Sequence, residues 1–263
     1  LLAPQSSAAM ASRELNIGFF SRMVRKTPWV RMKVAASLDG TTALENGASQ
    51  WITGEAARRD GQTWRARACA VLTGIGTVLH DDPRLDVRLP GATRQPHLVV
   101  VDSDLSTPET ARLFEAAANR LPRHIWIYHA ARNPEKEAAL LKRGATLIHT
   151  PGSHNKVDLK AMLLDIGSRE VNELHVEAGF KLNGSLLREG LVDELLVYLA
   201  PKLLGQGAGL SSCGPLQRLD EGVSLDFLPP EQVGEDLRLR ARVRGRDGFL
   251  ASDHMKFAPD GCS

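Results

Sequence analysis

Apolar and polar residues alternate along this chain in two rhythms. Short runs rich in branched residues read as strands at residues 30–36, 70–73, 97–101, 125–128, 146–149, 173–177 and 194–200. Helical spacing shows most clearly in Leu159, Met162, Leu163 and Ile166 behind Asp158, which predicts a helix running to Ser168 with Asp158 as N-cap. A second helix is expected over residues 54–68, with Glu55 in its first turn and Arg58, Arg59, Arg65 and Arg67 further along, an order that suits the helix dipole. Strands alternating with helices predict an α/β fold: a mostly parallel sheet with helices on both faces. Two further runs, residues 223–227 and 237–243, are expected to add an antiparallel edge. In the second, Leu237, Leu239, Ala241 and Val243 face one way and Arg238, Arg240, Arg242 and Arg244 the other. With no aromatic residue interleaved, this arginine row reads as the solvated outer face of an edge strand rather than a nucleic-acid patch. Residues 89–96 and 133–151 are the most loop-rich passages.

Composition narrows the class without changing this picture. The 263 residues are 43% apolar and 24% charged, enough to bury a sizeable core. We expect one domain over residues 15–250, preceded by a scar or linker stub (1–14) and followed by a loose tail (251–263). The net charge of +2 calls for neither nucleic acid nor an anionic membrane. No apolar run approaches the roughly 18 residues that span a bilayer, and the first residues lack the basic start of a signal peptide. Cys69, Cys213 and Cys262 are scattered and odd in number, so neither a disulfide framework nor a metal knuckle is expected, and a reduced cytoplasm is the natural compartment.

Several familiar signatures fail. Gly74-Ile75-Gly76 follows a strand, but Leu79 stands where a Rossmann fingerprint needs its third glycine. Gly205, Gly207 and Gly209 lack the GK[ST] of a P-loop, although a ligand loop is expected nearby. His175-Val176-Glu177 matches half of the zinc deaminase pattern, yet no PCxxC supplies the thiolates. His175 and Glu177 share one strand face, so one can enter a ligand pocket while the other packs or caps.

The informative stretch runs from Met32 to Arg88. It holds Lys33-Val34-Ala35-Ala36-Ser37-Leu38-Asp39-Gly40, Ser49-Gln50-Trp51-Ile52-Thr53, Ala57-Arg58-Arg59-Asp60, Leu72-Thr73-Gly74-Ile75-Gly76-Thr77-Val78-Leu79 and Asp81-Asp82-Pro83-Arg84-Leu85. Val176-Glu177-Ala178-Gly179, Leu191-Val192-Asp193-Glu194 and Ala200-Pro201-Lys202-Leu203-Leu204-Gly205 follow in order. Together these resemble the reductase domain of bacterial bifunctional riboflavin-biosynthesis deaminase/reductases, over roughly residues 15–244. Residues 15–20 look like the joint that follows the deaminase in those proteins, which implies that the deaminase half is absent here.

The resemblance implies a dihydrofolate-reductase-like fold that binds NADPH without the Rossmann glycines. It implies that Ala35, Trp51, Thr77, Asp81 and Ser103 line the cofactor site with Gly179, Phe180, Lys181, Leu182, Asn183, Gly184 and Ser185, where a helix N-terminus receives a phosphate. Ser49, Arg65, Leu85, Arg88 and Glu177 would hold the phosphoribosylamino-pyrimidine. Arg65 and Arg88 offer planar forks suited to its phosphate. Each residue has a plainer use: Trp51 as a core aromatic, Arg65 as an exposed helix arginine, Asp81-Asp82-Pro83 as a turn. The family usually has proline or a small residue where Phe180 stands.

The implied reaction opens the ribose to an imine at C1′, which receives hydride from NADPH; Asp81 is the candidate to move the proton. No metal is required. A homodimer is implied by the resemblance alone. The alternatives are a dihydrofolate-reductase-like pterin reductase and a non-catalytic nucleotide-binding module.

Overall fold

The computed structural model describes residues 6–117 and 119–250. In chain order the elements are α1 (Ser7–Leu15), α2 (Ile17–Arg25), β1 (Trp29–Ser37), β2 (Ala43–Leu44), α3 (Glu55–Arg67), β3 (Ala70–Gly74) and α4 (Ile75–Asp81). Then come β4 (His97–Val101), β5 (Ile125–His129), α5 (Pro134–Lys142), β6 (Ala145–His149), α6 (Leu159–Ser168), β7 (Glu173–Val176), α7 (Phe180–Arg188), β8 (Glu194–Ala200) and β9 (Gly207–Ala208). Three strands, β10 (Leu225–Phe227), β11 (Glu231–Val233) and β12 (Asp236–Val243), follow. The main sheet runs β10-β12-β8-β1-β7-β3-β4-β5-β6, with β11 also paired to β12, while β2 and β9 form a separate ribbon. All pairs from β8 to β6 are parallel, and β12 joins β8 antiparallel. The expected mostly parallel sheet with an antiparallel edge is therefore present.

Strand alternation sorts the core into two layers. Val30, Met32, Val34, Leu72, Val99 and Tyr128 pack against Leu159, Met162, Leu163 and Ile166 of α6 and Leu186 of α7. On the other face Val71, Leu98, Val100 and Ile127 pack with Val78 of α4 and Leu140 of α5, and Leu196 and Tyr198 pack with Ala57 and Trp64 of α3. The α6 prediction holds to its cap, since the Asp158 side chain accepts from Ala161 N at 2.9 Å.

Three expectations are corrected. Part of the stub is helical: Ser6 caps α1, and Glu14 pairs with Arg240 and Arg242 across 226 and 228 residues. The passage 133–151, read as loop-rich, carries α5, whose Asn133 side chain accepts from Lys136 N at 3.1 Å ahead of Pro134 at the first helical position. The tail 251–263 lies outside the described residues.

The third correction inverts the edge strand. The arginine face of β12 is covered rather than solvated from Arg238 to Arg242, while Arg244 stays exposed: Arg238 pairs with Asp60 and Glu231, and Arg240 with Glu194 and Glu14. Both guanidinium groups lie over the Trp64 ring, at 5.7 and 5.2 Å from its centroid, so the aromatic partner absent from the local sequence arrives from α3. The apolar face opens to solvent only at its start, where Leu237 is 42% exposed; Ala241 is buried and Val243 packs against the main core.

Candidate active site

Period-two geometry puts Arg31, Lys33, Ala35 and Ser37 of β1 on the face that α3 covers. On β7 the same face carries Glu173 and His175, with Glu177 just past the strand end. The register sets Arg31 beside His175, and Ala35 beside Tyr198 of β8. Chain ends of parallel strands carry the ligands of open α/β sheets, and Lys33, Ala35 and Glu177 lie toward that end.

Arg65, on the last turn of α3, donates to Glu177 through Nε (2.7 Å to Oε1) and Nη2 (2.9 Å to Oε2), and through Nη1 to the Asp86 carbonyl at 2.7 Å. Burial opposes the Glu177 charge, but the Arg65 guanidinium outweighs it and holds the carboxyl well below its ordinary range. The picture of Arg65 as a free fork beside Arg88 is therefore corrected: its prongs are engaged inside the protein. Arg88 is different. Its side chain is 62% exposed, 3.7 Å from Asp86 Oδ1.

Lys33 is the charged group that reading by motif left without a role. Burial lowers its ammonium pKa, Glu177 works against that shift and Arg65 adds to it. Its Nζ also lies 5.8 Å from the Tyr198 ring centroid. The sequence signal was present, since a lysine within an apolar strand must meet a carboxylate or shift its pKa.

Of the remaining expected residues, Leu85 turns its side chain into the core and adopts φ +52°, an unfavourable value for leucine; its carbonyl accepts from Arg123 Nη1 at 2.9 Å. Trp51 is an exposed loop residue, 67% exposed with the Arg58 guanidinium 4.7 Å from its ring centroid, and not a core aromatic. Ser49 and Trp51 border a cavity of about 120 Å³ with Lys202 and Leu204.

Among the residues expected to hold the cofactor, the N-termini of α4 and α7 adjoin. A Cβ on Gly179 would lie 3.7 Å from Thr77 Oγ1, and one on Gly74 3.0 Å from Leu182 Cδ2. Both helices begin at a glycine with no side-chain cap. Within residues 179–185 the roles divide. Gly179 and Lys181 are exposed, and the Phe180 carbonyl accepts from Ser212 N. Asn183 bonds the Leu210 carbonyl, Gly184 presses on Ser212, and the Ser185 hydroxyl donates to the Lys181 carbonyl. The Ser103 carbonyl receives Ala130 N and Ala131 N, and its hydroxyl accepts from Val157 N. Asp81 ends α4 with His80 Nδ1 at 3.0 Å. The glycine-rich stretch after β8 is a ribbon: Gly207 lies so close to Ala43 that a Cβ would meet its carbonyl at 2.2 Å.

Among the described residues no group of three or more His, Cys, Asp or Glu is arranged to hold a metal, and no helix is long and apolar enough to cross a membrane.

The chain is similar to known proteins. The riboflavin biosynthesis protein RibD of Escherichia coli (strain K12) is 39% identical over 241 residues, covering 87% of this chain and 63% of that protein. A solved structure of Acinetobacter baumannii RibD superposes with a TM-score of 0.78 at 33% identity, covering 89% of this chain and 63% of the other. A Thermotoga maritima diaminohydroxyphosphoribosylaminopyrimidine deaminase/5-amino-6-(5-phosphoribosylamino)uracil reductase shares the fold, with a TM-score of 0.74 at 23% identity over 90% of this chain and 62% of the other. The chain thus spans under two thirds of the length of these relatives. The family model for the RibD C-terminal domain matches residues 28–239, and the chain belongs to that family.

Proposed function

We propose that the chain is an NADPH-dependent reductase that converts the ribosylamino group of 5-amino-6-(5-phosphoribosylamino)uracil into a ribitylamino group in riboflavin biosynthesis. The observation that carries this reading is the Lys33, Glu177 and Arg65 cluster at the chain ends of the central strands, beside the exposed Arg88. Family membership and the reductase named among the relatives support it.

The residues present fit the cofactor. Gly179 caps α7 without a side chain, so the first-turn N–H groups are left for an outside acceptor such as a phosphate. Thr77 and the 179–181 segment would hold the pyrophosphate, Trp51 and Ala35 the nicotinamide end, and Ser103 and Asp81 the remainder. When bound, the cofactor supplies a hydride. The chain's own residues do the rest: Glu177 accepts hydrogen bonds from the ribose hydroxyls, and Arg88, with Ser49 and the main chain at Leu85, holds the phosphate end. Lys33 gives a proton to the ribose ring oxygen as the C1′–O bond breaks and the exocyclic nitrogen forms its double bond to C1′. Its lowered pKa suits this proton transfer. Arg65 holds Glu177 in place, and Asp81 is the second group able to move a proton. Holding the reacting atoms in line is the larger effect, worth roughly 7 kcal/mol or more.

The test is loss of NADPH absorbance with this uracil as substrate. Absence of turnover, or turnover only with a pterin, rejects the reading. NADPH should be preferred over NADH; equal catalytic efficiency with the two would refute that preference.

A homodimer is proposed as well. Half-buried Leu195, Val197, Leu199 and Leu239 lie with exposed Leu237 on one sheet face, and Phe227 is exposed on the neighbouring β10, an apolar surface of the kind that marks association sites. Sedimentation should give a dimer that Leu237→Asp converts to monomer; a wild-type monomer at micromolar concentration refutes this.

A further inference from the structure

His175 is 1% exposed, and neither of its ring nitrogens has a hydrogen-bonding partner among the described residues. Its Nε2 lies 3.5 Å from Glu177 Oε1, close but outside hydrogen-bond geometry. On either side of it the charges are matched. Glu173 takes Arg31 and Arg67, and Glu177 takes Arg65. The imidazole therefore separates a purely structural ion network from the proposed site.

A buried polar group without partners lowers stability, and a leucine or phenylalanine would fill the same space without that loss. The polar identity of this residue is thus unexplained by packing. Charged groups face it from two neighbouring elements as well as its own strand: Arg31 and Lys33 of β1, Arg65 of α3, and Glu173 of β7 with Glu177 just past its end. Val71 pairs with it from β3. Amid these cations burial keeps the ring neutral, with its pKa lowered to about 3, so it can donate only one N–H. Nε2 is the nitrogen directed at Glu177.

We propose that His175 is a positioning residue for Glu177: its Nε2–H takes Oε1 when that oxygen leaves Arg65 for the ribose hydroxyls, and so holds the carboxylate in its working orientation. The inference rests on the reading that Glu177 contacts the substrate. Long contacts in an unliganded site that tighten on substrate binding are common among catalytic hydrogen bonds.

The experiment compares His175→Phe and His175→Gln with wild type. Phenylalanine fills the volume without a donor, and glutamine restores an N–H near the Nε2 position. His175→Phe should keep its NADPH dissociation constant and a melting temperature at or above wild type, while kcat falls about tenfold or more with KM within about threefold. His175→Gln should return kcat to within about threefold of wild type.

Wild-type kcat in His175→Phe would overturn the proposal. So would a glutamine variant that folds yet is as slow as phenylalanine, which marks a packing role. Nitrogen-15 NMR of the wild-type imidazole reads the contact without turnover: the proposal requires the Nε2–H tautomer and a shift on Glu177→Gln, and the Nδ1–H tautomer rejects it even where the phenylalanine variant fails to fold. An inactive wild type with the Nε2–H tautomer instead removes the reductase reading and leaves the contact standing.

Discussion

Arg65 and Glu177, 112 residues apart, face each other through two parallel hydrogen bonds of 2.7 and 2.9 Å, and this pair fixes the Glu177 carboxylate against α3. A two-pronged contact constrains both position and rotation of a carboxylate. It also separates the roles of two arginines that look equivalent in the sequence.

Arg65→Ala should therefore be costly to the fold. Removing one partner of a buried pair leaves an uncompensated charge, worth about 3 to 5 kcal/mol, so its urea midpoint should fall sharply along with activity. Arg88→Ala should leave the midpoint unchanged and lower kcat/KM by roughly ten- to a hundredfold, the value of a charge-assisted contact to a phosphate. A dephosphorylated substrate should penalise wild type but hardly penalise Arg88→Ala. Equal midpoints for the two variants would contradict this division.

Lys33→Met should reduce kcat by about 100-fold or more with NADPH affinity intact. Because burial lowers the Lys33 pKa, the wild-type kcat should decline on the alkaline side below the ordinary lysine range. That limb should vanish in the variant. A basic limb that survives in Lys33→Met assigns the titration to another group.

Acid sensitivity should carry the signature of His175. Its folded pKa, about 3, lies below the unfolded value near 6.5, so the unfolded chain binds the extra proton. The stability tied to this group is present above pH 6.5 and is lost as pH falls toward 3, at up to about 1.4 kcal/mol per pH unit. Glu177, also lowered, adds its loss only below its unfolded value near 4.3. Between pH 6.5 and 4.5 the urea midpoint of His175→Phe should change less steeply than that of wild type, and parallel slopes would show that His175 titrates normally.

Gly184 and Gly76 offer a contrast within two adjoining helices. A Cβ at Gly184 would stand 2.2 Å from the Ser212 carbonyl oxygen, whereas one at Gly76 meets nothing within 4 Å. Gly184→Ala should lower stability by about 1 to 3 kcal/mol through overpacking, and Gly76→Ala should raise it by about 0.4 to 1 kcal/mol. Thermal melts of the two variants decide; a tolerated Gly184→Ala would mean that residues 210–212 can move away.

Much of the frame was legible because it depends on short-range rules. Branched runs marked the parallel strands, and Asp158 announced α6 through a side chain that accepts from Ala161 N three residues on. Asn133 and Pro134 carried an equally local helix start that the surrounding polar residues obscured. The resemblance brought Arg65 and Glu177 into view as residues of one site without saying that they would touch, and it left Lys33 without a role.

The sequence by itself determined which residues share a face, because strand alternation is a property of the backbone. Only the tertiary structure decided which face is covered. On β12 Arg238 and Arg240 went inside, since Trp64, Asp60, Glu194 and Glu14 converge there from distant segments and supply both the ring and the opposite charges. The same holds for Arg65, committed to Glu177 rather than to solvent, and for His175, buried between two charge networks. Charge pairing and burial act through space over a few ångströms, and the partners are separated by tens to hundreds of residues, so no local pattern encodes them.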